Sequence, residues 1–70
     1  MIILSSDQTH AVNTDKVCYY KVCEAGNDYA LRAYFENESV LLTKGARQYL
    51  LNLIRDIAEK SGAQNSYMEL

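Results

Sequence analysis

Two tyrosines and two cations recur at a spacing that could bring them onto one surface. Tyr19 precedes Lys21 by two positions, and Arg32 precedes Tyr34 by the same interval. Side chains alternate across a β-strand, so each pair would share one face of a sheet. Tyrosine rings can stack on nucleic-acid bases while cations hold phosphates, and Tyr and Arg are also enriched at protein interfaces. These four residues are the candidate contact surface for single-stranded nucleic acid or a protein; the simpler interpretation is a solvated face.

A second candidate site lies where a helix is expected to begin. It contains Thr43, Lys44, Gly45 and Arg47. Free N–H groups at a helix N-terminus can hold a phosphate, and two cations stand beside them here. In the simpler interpretation Thr43 only caps the helix, and the cations oppose the helix dipole slightly.

Catalytic chemistry has one weak candidate, His10. Ser5, Ser6, Asp7 and Asp15 lie near it in the sequence and could supply a nucleophile and an acid. Turns are built from these same residue types, however, so the grouping is not specific. Recognisable catalytic motifs are absent, and we expect no enzymatic activity and no cofactor.

The two cysteines predict neither a disulfide nor a metal site. Cys18 and Cys23 are five positions apart, which places them on opposite faces of a strand and about 16 Å apart along it. A disulfide needs Cα atoms about 5.5 Å apart. With one His and no C-x-x-C pair, no metal site is expected. We expect one cysteine in the core and the other near the outer face.

The composition is that of one small globular domain. The chain has 70 residues, 49% of them hydrophobic, and a net charge of −2, so it is neither disordered nor polybasic. A core this small commonly needs a partner, which favours a homodimer. The early apolar run Ile2–Leu4 is too short for a signal peptide or a membrane span, so we expect a cytoplasmic protein.

The elements that must position these residues are mostly strands. Short strands are expected at residues 2–4 and 10–13. Alternating apolar residues predict longer strands at residues 16–24 and 29–36 and another at 40–42, joined by tight turns.

Beyond the strands, apolar residues recur at helical spacing over residues 46–57, and Lys60 and Gly62 suit a helix end. The predicted fold class is α+β, a three- or four-stranded antiparallel β-meander packed on one C-terminal α-helix. Residues 1–62 would form the domain. Residues 63–70 would form a tail that either adds a short strand or trails loosely.

One helix can cover only one face of such a sheet. In residues 29–36 the odd positions are continuously apolar, so they should face the helix. Cys18, Tyr20 and Val22 form the more apolar set of the preceding strand. The opposite face would then carry the candidate contact surface. Leu51 falls off the helical stripe and could touch a partner or sit alone on the surface.

The order of these signals resembles a diffuse group of short proteins from Gram-positive bacteria, their prophages and mobile elements. The resemblance rests on the start at residues 2–7, on residues 12–17, on the stretch Arg32-Ala33-Tyr34-Phe35 and on the ending Tyr67-Met68-Glu69. No function is assigned to that group, so it implies no site residue. The element order is also similar to the transcription-coactivator fold, a dimer that binds single-stranded DNA.

These observations lead to one main functional hypothesis and one alternative. The main hypothesis is a small non-catalytic interaction protein that self-associates through a sheet face or edge and is encoded by a phage or mobile element. The alternative is a single-stranded nucleic-acid-binding protein that uses the same face.

Overall fold

Six strands, one short 3₁₀ turn and one α-helix make up the part of the fold that the structure describes. The computed structural model describes residues 1–60 and 67–70, and the predicted helix end at Gly62 lies outside them. The elements are β1 (Ile2–Leu4), β2 (Ala11–Asn13), the 3₁₀ turn (Thr14–Lys16), β3 (Tyr19–Ala25), β4 (Asp28–Tyr34), β5 (Ser39–Gly45), α1 (Arg47–Lys60) and β6 (Tyr67–Glu69).

The strands form two three-stranded sheets. The larger is the antiparallel meander β3-β4-β5, and the smaller has the order β2-β1-β6. In the smaller sheet β2 runs antiparallel to β1 and β6 runs parallel to it. The predicted α+β class with a meander and one helix near the C-terminus is confirmed. The short strands form a sheet of their own, and β6 comes from the tail.

Local sequence explains where the meander begins and turns. Asn13 accepts a hydrogen bond from the backbone N–H of Asp15 and so caps the 3₁₀ turn. The chain therefore enters β3 at Tyr19, three residues later than predicted. The two-residue loop between β3 and β4 begins with Gly26 at φ +65°, which suits a type II′ hairpin turn.

The third strand of the meander is longer than predicted. β5 continues to Gly45, and Leu42 has no partner on β4 because Leu31 pairs with Thr43 and Arg32 with Leu41. The predicted N-cap at Thr43 is wrong, since this β-branched residue is buried within β5. The helix begins four residues later, at Arg47.

One apolar core joins the sheets to the helix. Leu31 and Leu42 of the meander pack with Leu50 and Ile57 of α1, and all four are almost completely buried. The smaller sheet adds Ile3, which is also buried. Helical spacing in the sequence correctly indicates the side of α1 that enters this core.

Backbone hydrogen bonds also tie the two sheets together. The N–H of Ser6 donates to the carbonyl of Leu42 over 2.8 Å, so the loop after β1 is held against the bulge of β5. Within the smaller sheet, the N–H of Thr14 donates to the carbonyl of Met1 over 3.0 Å and extends the pairing of β2 with β1. The described residues include no helix long and apolar enough to cross a membrane.

Candidate binding face

The meander presents one face that α1 does not cover, here named the open face. Cross-strand partners share a face, so the register assigns its members directly. It comprises Tyr19, Lys21, Cys23 and Ala25 of β3, Asp28, Ala30, Arg32 and Tyr34 of β4, and Ser39, Leu41 and Lys44 of β5. All four residues of the predicted contact surface are among them.

Two tyrosines form a stack at one end of the open face. Tyr19 and Tyr34 are direct cross-strand partners, and their ring centroids lie 4.7 Å apart with planes only 4° from parallel. Tyr34 stands on the central strand and is half-buried, whereas Tyr19 stands on an edge strand and is 54% exposed. Tyr19 is therefore the outer ring of the stack, and one of its ring faces is open to a ligand.

The inner ring of the stack leans along the sheet. The hydroxyl of Tyr34 lies 3.8 Å from the sulfur of Cys23, although Cys23 is four residues along β3 from the partner of Tyr34. This contact and partial desolvation raise the pKa of Tyr34 above its ordinary value. The side chain of Tyr34 therefore contacts Tyr19 through its ring face and Cys23 through its hydroxyl.

Neither cysteine belongs to the core cluster, which corrects the sequence-based expectation. Cys23 is half-buried on the open face, and Cys18 is exposed just before β3 begins. Residues 16–18 do not follow strand alternation, because the chain is still leaving the 3₁₀ turn there. Both thiols are free.

Two cations stand directly opposite each other in the middle of the open face. Lys21 and Arg32 are cross-strand partners, which places their Cβ atoms about 4.5–5.5 Å apart. Arg32 donates from Nε and Nη2 to the hydroxyl of Ser39, over 3.2 and 3.0 Å. These bonds hold the guanidinium in one orientation, while its Nη1 donors remain available to a ligand.

A third cation joins them from β5. Lys44 pairs with Ala30 and so lies on the open face, one row beyond Lys21 and Arg32. Among the described residues neither Lys21 nor Lys44 has an ion-pair partner. The strand carboxylate on this side is Asp28, which lies at the hairpin end. Strict alternation from Val40 would have placed Lys44 on the face that α1 covers, and the bulge at Leu42 moves it to the open face.

The predicted anion site at the helix start is not assembled. Thr43 faces the core, while Lys44, its neighbour, points to the open face. Gly45 ends β5, and a Cβ there would lie 3.1 Å from the ring of Tyr49. Arg47 is exposed at the first position of α1. Strand alternation separates the side chains that the sequence placed together.

The loop around His10 is organised by Asp7. Its Oδ1 accepts from the hydroxyl of Ser5 over 2.7 Å, and from both the N–H and the hydroxyl of Thr9. These bonds lower the pKa of Asp7 from 3.8 to about 2. Thr9 also lies 2.8 Å from Nδ1 of His10.

The directions of the hydrogen bonds in this loop differ from those of a catalytic hydroxyl and its histidine base, in which the histidine accepts from the hydroxyl. Because the Thr9 hydroxyl gives its proton to Asp7, it accepts from the Nδ1–H of His10. The hydroxyl of Ser5 is buried and is also directed to Asp7. Asp15 belongs to the 3₁₀ turn and takes no part. Sequence reasoning grouped the right loop but missed Thr9, which connects its members.

The described residues contain no group of three or more His, Cys, Asp or Glu side chains that could hold a metal ion. Comparison with protein-family models, curated proteins and solved structures found no match for this chain.

Proposed function

We propose that this protein is a non-catalytic binding protein whose open face holds single-stranded nucleic acid. The direct opposition of Lys21 and Arg32 carries the proposal. Like charges that stand directly opposite each other across a sheet are destabilising. An anionic ligand lying across both residues would convert this repulsion into attraction. The net charge of the chain is −2, so the positive charge of the open face is opposite in sign to the charge of the chain as a whole.

The tyrosine stack favours a nucleic acid among anionic ligands. A base could stack on the exposed ring face of Tyr19 and continue the Tyr19–Tyr34 stack. Such stacking contributes about 1–3 kcal/mol per base. The phosphates on either side of that base would then lie near Lys21 and Arg32, with Lys44 one row further along.

Charge argues against face-to-face self-association, which the sequence also allowed. Two copies joined through their open faces would bring Lys21, Arg32 and Lys44 of both copies together. Such like-charge juxtaposition costs several kcal/mol. We therefore assign the open face to a ligand and assign self-association to a sheet edge.

The expected affinity is modest and strongly dependent on salt. Three cations that contact phosphates of a single strand predict a slope of log K against log salt of about −2. An uncharged ligand, or an apolar protein interface, would give a slope near zero. We place this function in the cytosol, where the free thiols of Cys18 and Cys23 would remain reduced.

Fluorescence anisotropy of a labelled oligothymidylate, titrated at several salt concentrations, tests the proposal. Tyr19→Ala should weaken binding about 5- to 100-fold because the stacking ring is lost. Tyr67→Ala is the matched control, since Tyr67 is 60% exposed but lies on β6. Equal affinities for wild type and Tyr19→Ala would contradict the stacking mechanism.

The cations have a separate test with the same titration. Lys21→Gln should reduce the salt slope by about 0.7 and slightly raise stability by removing the opposed charge. Lys60→Gln makes the same charge change at the end of α1 and should leave the slope unchanged. Failure of wild type to bind at low salt would refute the proposal as a whole.

A further inference from the structure

We infer that β3 is a self-pairing edge through which two copies of this chain form an antiparallel dimer with one continuous six-stranded sheet. The two edges of the meander differ. β5 carries the Leu42 bulge, and its Leu42 carbonyl accepts from Ser6. The outer side of β3 has no hydrogen-bonded neighbour in the part of the chain that the structure describes.

The hairpin geometry identifies which backbone groups of β3 are free. Ala25 and Asp28 flank a two-residue loop, so they form a narrow, doubly hydrogen-bonded pair. Bonding alternates along the ladder, and the odd-numbered residues of β3 therefore direct their N–H and C=O groups to β4. The outward groups belong to Tyr20, Val22 and Glu24.

The backbone of this edge lacks the usual obstacles to pairing. Unpaired edges are normally blocked by proline, by a bulge, by a covering element or by charged side chains, and of these β3 carries only the charges of Lys21 and Glu24. Tyr19–Ala25 is seven residues long and contains no proline, and the register of β3 with β4 is regular throughout. A strand of this length can present three complete pairs of free groups to another strand.

The sequence of β3 is complementary to itself in one register. Val22 is the midpoint of the strand, and antiparallel pairing about it satisfies all three outward residues of both copies. It places Lys21 opposite Cys23 of the partner subunit, and Tyr20 opposite Glu24 of the partner subunit. No like charges are opposed. Antiparallel pairing centred on Lys21 would instead place the two lysines opposite each other. Glu24 would then have no partner residue within β3 of the other copy.

The symmetry of such a dimer also has a geometric consequence. The two-fold axis runs perpendicular to the sheet, so both open faces lie on the same side. Two tyrosine stacks and six cations then share one surface. The dimer itself rests on backbone pairing and stands without the nucleic-acid proposal.

Disulfide trapping tests this register. In a Cys18→Ser background, Lys21→Cys would stand opposite Cys23 of the partner subunit as a non-hydrogen-bonded pair. Its Cα separation of about 4.5 Å falls within the disulfide range. Mild oxidation should yield a covalent dimer linked between positions 21 and 23. Arg32→Cys is the matched control, because it lies on the same face but on the central strand.

Light scattering during size-exclusion chromatography provides the second test. Wild type should show twice the 8.0 kDa mass of the chain, with dissociation on dilution over about a hundredfold concentration range. Glu24→Pro removes an outward N–H and should yield a folded monomer. Glu24→Ala, which alters only the side chain, should remain dimeric.

Several results would overturn the inference. They are a wild-type monomer at every concentration, a Glu24→Pro dimer as tight as wild type, or equal trapping of Lys21→Cys and Arg32→Cys. Oligonucleotide binding separates this failure from failure of the proposed function. A monomer that still binds with a salt slope of about −2 would refute only the dimer. A wild-type dimer that binds no oligonucleotide at low salt would refute only the nucleic-acid role.

Discussion

On the face of the meander that α1 covers, Leu31 and Ala33 have no exposed surface, whereas Tyr19 on the open face is 54% exposed. The two faces share one backbone and alternate residue by residue along β4. Their chemistry nevertheless differs. Aliphatic side chains occupy the centre of the covered face, whereas Lys21 and Arg32 occupy the centre of the open face and the tyrosine stack lies at one end of it.

This difference illustrates what one helix can and cannot do for a sheet. α1 lies on one side and buries an apolar layer there, which supplies stability through packing. The side chains of the open face do not have to pack against a helix. This face can therefore tolerate an unfavourable arrangement such as Lys21 opposite Arg32. Local electrostatic conflict on an otherwise consistent fold is typical of a functional surface.

The largest expected effect is a loss of stability on the covered face. Leu31→Ala should lower the free energy of unfolding by about 2–5 kcal/mol, because it leaves a cavity against α1. Tyr34→Ala removes a larger side chain from the open face and should cost less, since Tyr34 is half-exposed. Urea denaturation of both variants measures the comparison. If Tyr34→Ala cost as much as Leu31→Ala, the open face would be buried in solution.

A smaller effect sharpens the description of the covered face. The hydroxyl of Tyr20 is buried, and it has no hydrogen-bond partner among the described residues. Tyr20→Phe removes this unsatisfied group and should stabilise the fold by about 1 kcal/mol. Thermal unfolding at neutral pH measures the gain. A loss of stability would mean that the hydroxyl has a partner.

The same substitution has an expected pH signature. Burial raises the pKa of Tyr20 above its ordinary value of 10.0. Above pH 10 the unfolded tyrosine ionises while the folded one stays protonated, so wild-type stability falls as pH rises toward the folded pKa. The advantage of Tyr20→Phe should therefore grow above pH 10. An advantage independent of pH would contradict this linkage.

The smallest expected effect lies away from both faces. The depressed pKa of Asp7 contributes stability above its ordinary value of 3.8, and this contribution is lost as pH falls toward about 2. Asp7→Ala should therefore flatten the acid limb of stability between these values and leave oligonucleotide affinity unchanged. Denaturation at a series of acidic pH values measures the first effect. A loss of affinity in Asp7→Ala would show that the open face is not independent of this loop.

Much of the open face was predictable from local pattern. Period-two alternation placed Tyr19, Lys21, Arg32 and Tyr34 on one side, and helical periodicity identified the stripe of α1. Both periods are properties of a single element and need no knowledge of its neighbours. The predictions failed where an element boundary was wrong, as at Thr43, because boundaries depend on burial and on pairing with other strands.

The sequence by itself therefore determined the α+β class, the order of the main elements and the presence of Tyr19, Lys21, Arg32 and Tyr34 on one face of the sheet. Tertiary structure decided the separate β2-β1-β6 sheet, the Leu42 bulge that sets Lys44 on the open face, and the stacked geometry of Tyr19 and Tyr34. The physical reason is distance along the chain. Alternation and helical spacing act over a few residues, whereas pairing and stacking depend on strands that only folding brings together.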